Sequence, residues 1–248
     1  MVLPPAVSRA QWVDARKELL RKEKELTKAR DALSVERRAL PMVRVDKEYV
    51  FEGPEGKVTL PDLFDGCRQL IVSHFMFNPD WDEGCSSCSA GADDMSAGRL
   101  RHLRSRDTAF VYVSRAPLAK LVAYKERKGW DFPWYSSFGS DFNYDFHVTM
   151  DDSVLPAEYN YKTIPEHRAD GTGYYFVGEQ PSEQPGLSCF LRAGGDVFHT
   201  YSAYGRGTEM NLGAYAYLDL TALGRQEDWE EPTGRVPQTH PAAPDFRS

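Results

Sequence analysis

The 248-residue chain has no apolar run long enough to span a bilayer. Its longest, Leu70 to Phe77, contains Ser73 and His74 and falls far short of the ~20 residues a membrane helix requires, so no membrane partner is expected. The opening residues Met1-Val2-Leu3-Pro4-Pro5 lack the basic start and apolar core of a secretory signal, and the chain reads as cytoplasmic. Positive charge is not in excess: the formal net charge is −7, which repels phosphate backbones and argues against a nucleic-acid partner. Cysteine is scarce, at four residues. In a cytoplasmic chain of this length thiols are reduced, catalytic or metal-bound rather than a structural framework.

What is present is an ordinary globular composition, 41% hydrophobic and 27% charged, which excludes collagen-like, low-complexity and wholly disordered classes. The charge is uneven. Residues 1–40 hold ten Lys/Arg against six Asp/Glu, whereas the remainder holds twenty against thirty-one. Between Ser8 and Leu40 there is neither Gly nor Pro, and strong helix formers with charges of both signs predict one long helix, ended by Pro41. Trp12, Leu19, Leu26, Leu33 and Leu40 recur every seven residues as a narrow seam. Such a helix can lie along its own body or against a second copy in a homodimer, although Lys22 and Glu36 weaken an autonomous coiled coil. The expected organisation is an arm over residues 1–40, a folded domain over 41–226, and a proline-rich, mobile tail over 227–248.

Within the domain, Tyr49-Val50-Phe51 and Val58-Thr59-Leu60 flank a Gly/Pro turn and predict a hairpin, followed by a helical turn near residues 60–64. Gln69 to Phe77 and Thr108 to Ser114 read as buried strands, with a helix from Cys85 to about Leu103 between them and another from Pro117 to Lys128 after them. Strand, helix, strand, helix implies parallel pairing by right-handed crossovers. Residues 129–146 include eight aromatics with no clear period, and form either a substrate wall or core filling. Residues 156–172 read as an excursion and 174–177 as a short strand. Residues 187–192 and 197–201 predict an antiparallel hairpin around Gly194-Gly195, and 214–223 a closing helix.

The chemistry centres on Gly84-Cys85-Ser86-Ser87-Cys88. Cysteines at i and i+3 share one helix face, close enough to form and break a disulfide without unfolding. The first sits where unpaired backbone N–H groups converge and favour a thiolate, so Cys85 is the expected nucleophile and Cys88 the resolving thiol. Asp80, Asp82 and Glu83 act against this by raising the thiol pKa, and the net direction stays open at this stage. Two other readings also stay open: a metal site, for which no second paired motif supplies ligands, and a structural pair on a binding scaffold with an aromatic pocket. Neither a resident metal nor a cofactor is expected.

Several runs resemble the DUF899 family. They are residues 41–49, residues 75–81 leading into Gly84-Cys85-Ser86-Ser87-Cys88-Ser89, residues 113–118, 132–137 and 139–143, and Val197-Phe198-His199-Thr200-Tyr201 with Gly205-Arg206-Gly207. The likeness extends from Trp12 to about Arg225. It implies an α/β, thioredoxin-like fold, with a central mixed sheet, flanking helices and a long N-terminal helical extension. The function it implies is dithiol-disulfide oxidoreductase, acting on a protein or small-molecule disulfide or thiol. Departures from the thioredoxin pattern are local. Gly84 stands where thioredoxins carry Trp, and Ser86-Ser87 where they carry Gly-Pro. Gly186, with Pro185 before it, falls at the cis-proline that opens the strand facing the motif. No threonine lies between Pro79 and Cys85, which lowers a peroxidase reading. Trp81, Trp134, Tyr135, Pro185 and Gly186 are the expected substrate contacts. His74 reads as a core histidine, Cys67 and Cys189 as small buried hydrophobes, and Arg206 as either a turn cap or a carboxylate anchor.

Overall fold

The computed structural model describes residues 3–172, 180–211 and 213–239. The chain divides into two compact units, one formed by residues up to Pro41 with the segment from Leu218, the other by Met42–Tyr217. In the first unit, helix α1 (Arg9–Arg38) begins with a capping box, Ser8 accepting from the Gln11 N–H while Gln11 accepts from Ser8. None of its residues is buried, and Trp12, Leu19, Leu26 and Leu33 stay about half exposed. Its surface is laced by ion pairs, Arg16 with Glu23 at 2.8 Å and Arg21 with both Glu18 and Glu25.

The second unit is built on an eight-stranded mixed sheet. Its strands, in chain order, are β1 (Val43–Arg44), β2 (Val50–Gly53), β3 (Gly56–Thr59), β4 (Gln69–His74), β5 (Thr108–Ser114), β6 (Trp134–Ser136), β11 (Gly186–Ala193) and β12 (Asp196–Tyr204); four short strands between residues 149 and 183, β7 (Thr149–Met150), β8 (Glu158–Tyr159), β9 (Lys162–Thr163) and β10 (Ser182–Glu183), form two separate ribbons. Spatial order is β1-β12-β11-β4-β5-β6-β2-β3. β4 is the central strand because its run of apolar residues can be buried on both faces. It pairs in parallel with β5, Leu70 opposite Ala109 and His74 opposite Val113, and antiparallel with β11, Gly186 opposite His74. β5 continues in parallel to β6, and β11 turns back into β12. A parallel βαβ unit joined to an antiparallel hairpin, with the first strand at the junction, is the thioredoxin-like core.

Alternation along the strands sorts the side chains onto two faces. One carries Leu70, Val72, Val111, Val113 and Phe190, closed over by Phe51, by Leu63 and Phe64 of a 3-10 turn (Asp62–Phe64), and by Phe142 and Phe146 around α5 (Phe142–Asp145). The other carries Phe75, Phe77, Tyr112, Phe132 and Trp134, covered by α2 (Ser86–Asp93), α3 (Ala97–Arg104) and α4 (Leu118–Lys128). The single helix expected from Cys85 to Leu103 is therefore two helices. The break falls at residues 94–96, where the Ser96 hydroxyl accepts from the Arg99 N–H and starts a new helix, and not at Gly91 or Gly98. The excursion at 156–172 contains β8, β9 and α6 (Ile164–Ala169), and α7 (Gly213–Leu218) covers only the first half of the span 214–223 expected for the closing helix. The expected strand at 174–177 and residues 240–248 of the tail lie outside the described residues. Among the described residues no helix is long and apolar enough to cross a membrane.

Candidate redox site

After β4 the chain leaves the sheet through Phe75, Met76 and Phe77, and folds back as a loop to start α2. Three anchors hold this loop. The Asn78 side chain accepts from the Asp80 N–H at 2.9 Å and donates to Glu183 at 3.2 Å. The Lys120 ammonium donates to the carbonyls of Pro79 and Trp81, each at 2.7 Å. The Cys85 N–H donates to the Met76 carbonyl at 3.0 Å. Gly84 has no side chain for a steric reason: a Cβ there would stand 2.6 Å from Phe75 Cε1 and 3.2 Å from Tyr124 Cε1. The tryptophan that thioredoxins place before the first cysteine has no room here.

Cys85 is the N-cap of α2 and Cys88 lies one turn on; both are half-buried and free, without a disulfide. The Cys88 thiol donates to Cys85 Sγ, which also accepts from the backbone N–H groups of Cys88 and Ser87 and from the Ser87 hydroxyl. These donors outweigh burial and pull the Cys85 pKa down to about 6. The direction left open by the flanking carboxylates is thereby decided, with Asp80, Asp82 and Glu83 exposed to solvent. Cys88 moves the other way, because it donates to Cys85, is desolvated and sits beside a thiolate; the Met76 N–H opposes these effects by donating to its sulfur. The hydrogen bonds thus favour the anion on Cys85 and the protonated form on Cys88. Behind them Ser89 donates to the Cys85 carbonyl and meets the Tyr124 hydroxyl at 2.9 Å, fixing the first turn of α2 against α4.

The expected substrate contacts separate. Trp81 is exposed on the loop, at 39%. Trp134 shares a cluster with Cys88, but it is buried, 4.7 Å from the Phe75 ring, with its Nε1 donating to Ser114 Oγ at 3.0 Å. It fills the core rather than lining an open wall. Tyr135, its neighbour on a three-residue strand, points to the opposite face and packs, half-buried, on the Phe51 cluster. The Pro185 carbonyl accepts from the Tyr159 hydroxyl at 3.2 Å, and Gly186 fits against Val148 and Tyr204. The cis prolines among the described residues are Pro181 and Pro232. Cys67 is buried, whereas Cys189 is only half-buried. His74 is buried with its Nε2 2.8 Å from Ser188 Oγ; burial lowers its pKa to about 3, and its ring lies against Phe142 and Phe146 on the face away from the cysteines.

Sequence reasoning missed the Met76 peptide, Gly84 as a steric necessity, Lys120, and the Asn78–Glu183–Arg115 group. Asn78 and Arg115 stand inside the runs that carried the family resemblance, which was the available signal; nothing marked Glu183.

Fold and site together define a thioredoxin-fold protein with a CxxC pair at the start of the helix after its central strand. The chain belongs to the DUF899 family, described as bacterial protein of unknown function, whose model matches residues 1–241. No curated protein sequence matches it. Solved structures similar to it include peroxiredoxin Q of Xanthomonas campestris, at 11% identity and TM-score 0.44 over 75% of this chain and 99% of that one. Peroxidoxin BcpB of Mycobacterium tuberculosis is similar at 11% and 0.42, over 70% and 94%. A PrxQ mutant of Xylella fastidiosa is similar at 11% and 0.41, over 72% and 95%.

Proposed function

We propose that this protein is a thiol-disulfide oxidoreductase in which Cys85 attacks and Cys88 resolves. The observation that carries the reading is the set of donors on Cys85 Sγ, the Cys88 thiol and the N–H groups of Ser87 and Cys88, which favour the thiolate at neutral pH. The Cys85 thiolate attacks one sulfur of a substrate disulfide, forming a mixed disulfide and releasing the other half as a thiolate, which takes a proton. Cys88 then loses its proton and attacks Cys85 Sγ, forming the Cys85–Cys88 disulfide and releasing the second substrate thiol. Two electrons pass from the protein to the substrate, and an external dithiol must return them.

The Met76 N–H supports the second step, because it donates to the sulfur that must become anionic there. Ser86 and Ser87, in place of bulkier residues, leave the N–H groups of the first turn unobstructed. Among the described residues no cluster of three or more His, Cys, Asp and Glu side chains could hold a metal ion. The test is the reaction of the reduced protein with 2-hydroxyethyl disulfide. Both thiols should disappear together, Cys85→Ser should abolish the reaction, and Cys88→Ser should stop at a mixed disulfide on Cys85. Undiminished reduction by Cys85→Ser would refute the assignment.

A further inference from the structure

The carboxyl ends of β4, β5 and β6 lie side by side, and Arg115 leaves the middle one. Its Nε donates to Glu183 Oε1 at 2.7 Å, its Nη1 to the Tyr144 hydroxyl at 3.3 Å, and its guanidinium lies 5.8 Å from the Tyr144 ring. The Glu183 side chain is only 2% exposed, and two neutral donors share its charge: Asn78 Nδ2 on the same Oε1 at 3.2 Å and Thr149 Oγ1 on Oε2 at 2.7 Å. Among the described residues Arg115 Nη2 has no acceptor, and the side chain keeps 14% of its surface open. A guanidinium fixed along one edge by a buried carboxylate leaves its other edge as a preorganised fork, and a carboxylate matches that fork.

This fork is tied to the redox loop. Asn78 and Arg115 meet on one oxygen of Glu183, and Asn78 follows by two residues the Met76 carbonyl that accepts the Cys85 N–H. The contacts run from the Arg115 guanidinium through Glu183 and Asn78 to the loop that carries Cys85. Trp81 on the redox loop and Phe138, two residues beyond β6, are exposed. We infer that Arg115 is the carboxylate-recognition point of the Cys85 site, selecting peptide-like disulfides that carry a free carboxylate. The inference rests on the proposed exchange reaction and adds its substrate class. The guanidinium holds the carboxylate by an ion pair without proton transfer, while the Cys85 thiolate attacks the sulfur.

The surrounding field makes the test selective. With a net charge of −7 and Asp80, Asp82 and Glu83 exposed on the same loop, the protein repels anions at long range, so a preference for a free acid must come from a local fork. The experiment compares oxidised glutathione with its fully esterified form as disulfide substrates. The wild-type chain should favour the acid by about tenfold in kcat/KM, the size of one charge-assisted hydrogen-bonded contact. Arg115→Lys keeps a cation for Glu183 but loses the fork and should bring the ratio near one. Should that variant fold poorly, Arg115→Met combined with Glu183→Gln removes both charges together and should also abolish the preference. A wild-type ratio near one, or a ratio unchanged in both variants, overturns the inference, and reduction of 2-hydroxyethyl disulfide in the same preparation would leave the exchange reaction standing.

A second arm needs no redox step. In a chain carrying Cys85→Ser and Cys88→Ser, calorimetric binding of S-methylglutathione that is lost on esterification and in Arg115→Lys upholds the recognition site even if exchange fails. Equal or absent binding of acid and ester rejects it.

Discussion

The two faces of the central sheet each enclose a titratable group whose pKa falls, for opposite reasons. On the helix-covered face the Cys85 pKa falls to about 6 because hydrogen-bond donors stabilise its anion in spite of burial. On the other face the His74 pKa falls to about 3 because burial among Phe142 and Phe146 disfavours its cation, with His199 adding a like charge. The first shift favours the charged form of its group and the second the neutral form. His74 Nε2 ends a chain of hydrogen bonds, in which Ser188 meets Ser202 at 2.8 Å and Ser202 meets His199 at 2.8 Å, while its Nδ1 is buried without a partner. This chain clamps β4 to the β11–β12 hairpin. Direction of shift alone does not mark a functional group; the cause of the shift does.

That contrast can be broken by substitution. Cys85→Ser should lower the rate of disulfide reduction by at least ~10³-fold, whereas His74→Phe should leave it within about threefold. Stopped-flow thiol kinetics would decide, and equal losses would mean that the faces are coupled. Acid should expose the histidine side. The unfolded chain takes up the His74 proton below about pH 6.5. The folded chain does so only near pH 3. Stability is therefore complete above pH 6.5 and is lost as the pH falls towards 3, by about 5 kcal/mol. Urea denaturation at pH 7 and pH 4.5 should show this slope, and His74→Phe should flatten it.

Two smaller effects concern the thiol side. Gly84→Ala forces a Cβ into the Phe75 ring and should cost about 1–3 kcal/mol in denaturant unfolding, together with slower reaction at Cys85. Cys88→Ala removes the leading donor on Cys85 Sγ, so the midpoint of iodoacetamide reaction against pH should rise by about one unit. A midpoint that stays near 6 would assign the shift to the helix N–H groups instead.

The redox half of this picture was readable in the chain because it is local. A run of apolar residues from Leu70, a short loop and a cysteine pair at helical spacing form one continuous segment, and the strand and helix periods identify its parts. The junction of α2 and α3 was not readable, since it depends on Ser96 capping Arg99 rather than on the glycines nearby. Nor was the separation of Trp134 from Tyr135, because a three-residue strand is too short to display its alternation. The pairing of Arg115 with Glu183 joins positions 68 residues apart, across a segment of short strands that carry little periodic signal. Such contacts exist only once the sheet has assembled.

The backbone of Met76 faces both cysteines, its carbonyl against the N–H of one and its own N–H against the sulfur of the other. Both cysteines are thus gauged from the backbone of one residue, through the two peptide planes that meet at its Cα. Variation of the residue's side group is compatible with that gauge, whereas replacing its amide by an ester would detune the second cysteine while sparing the first one's tether.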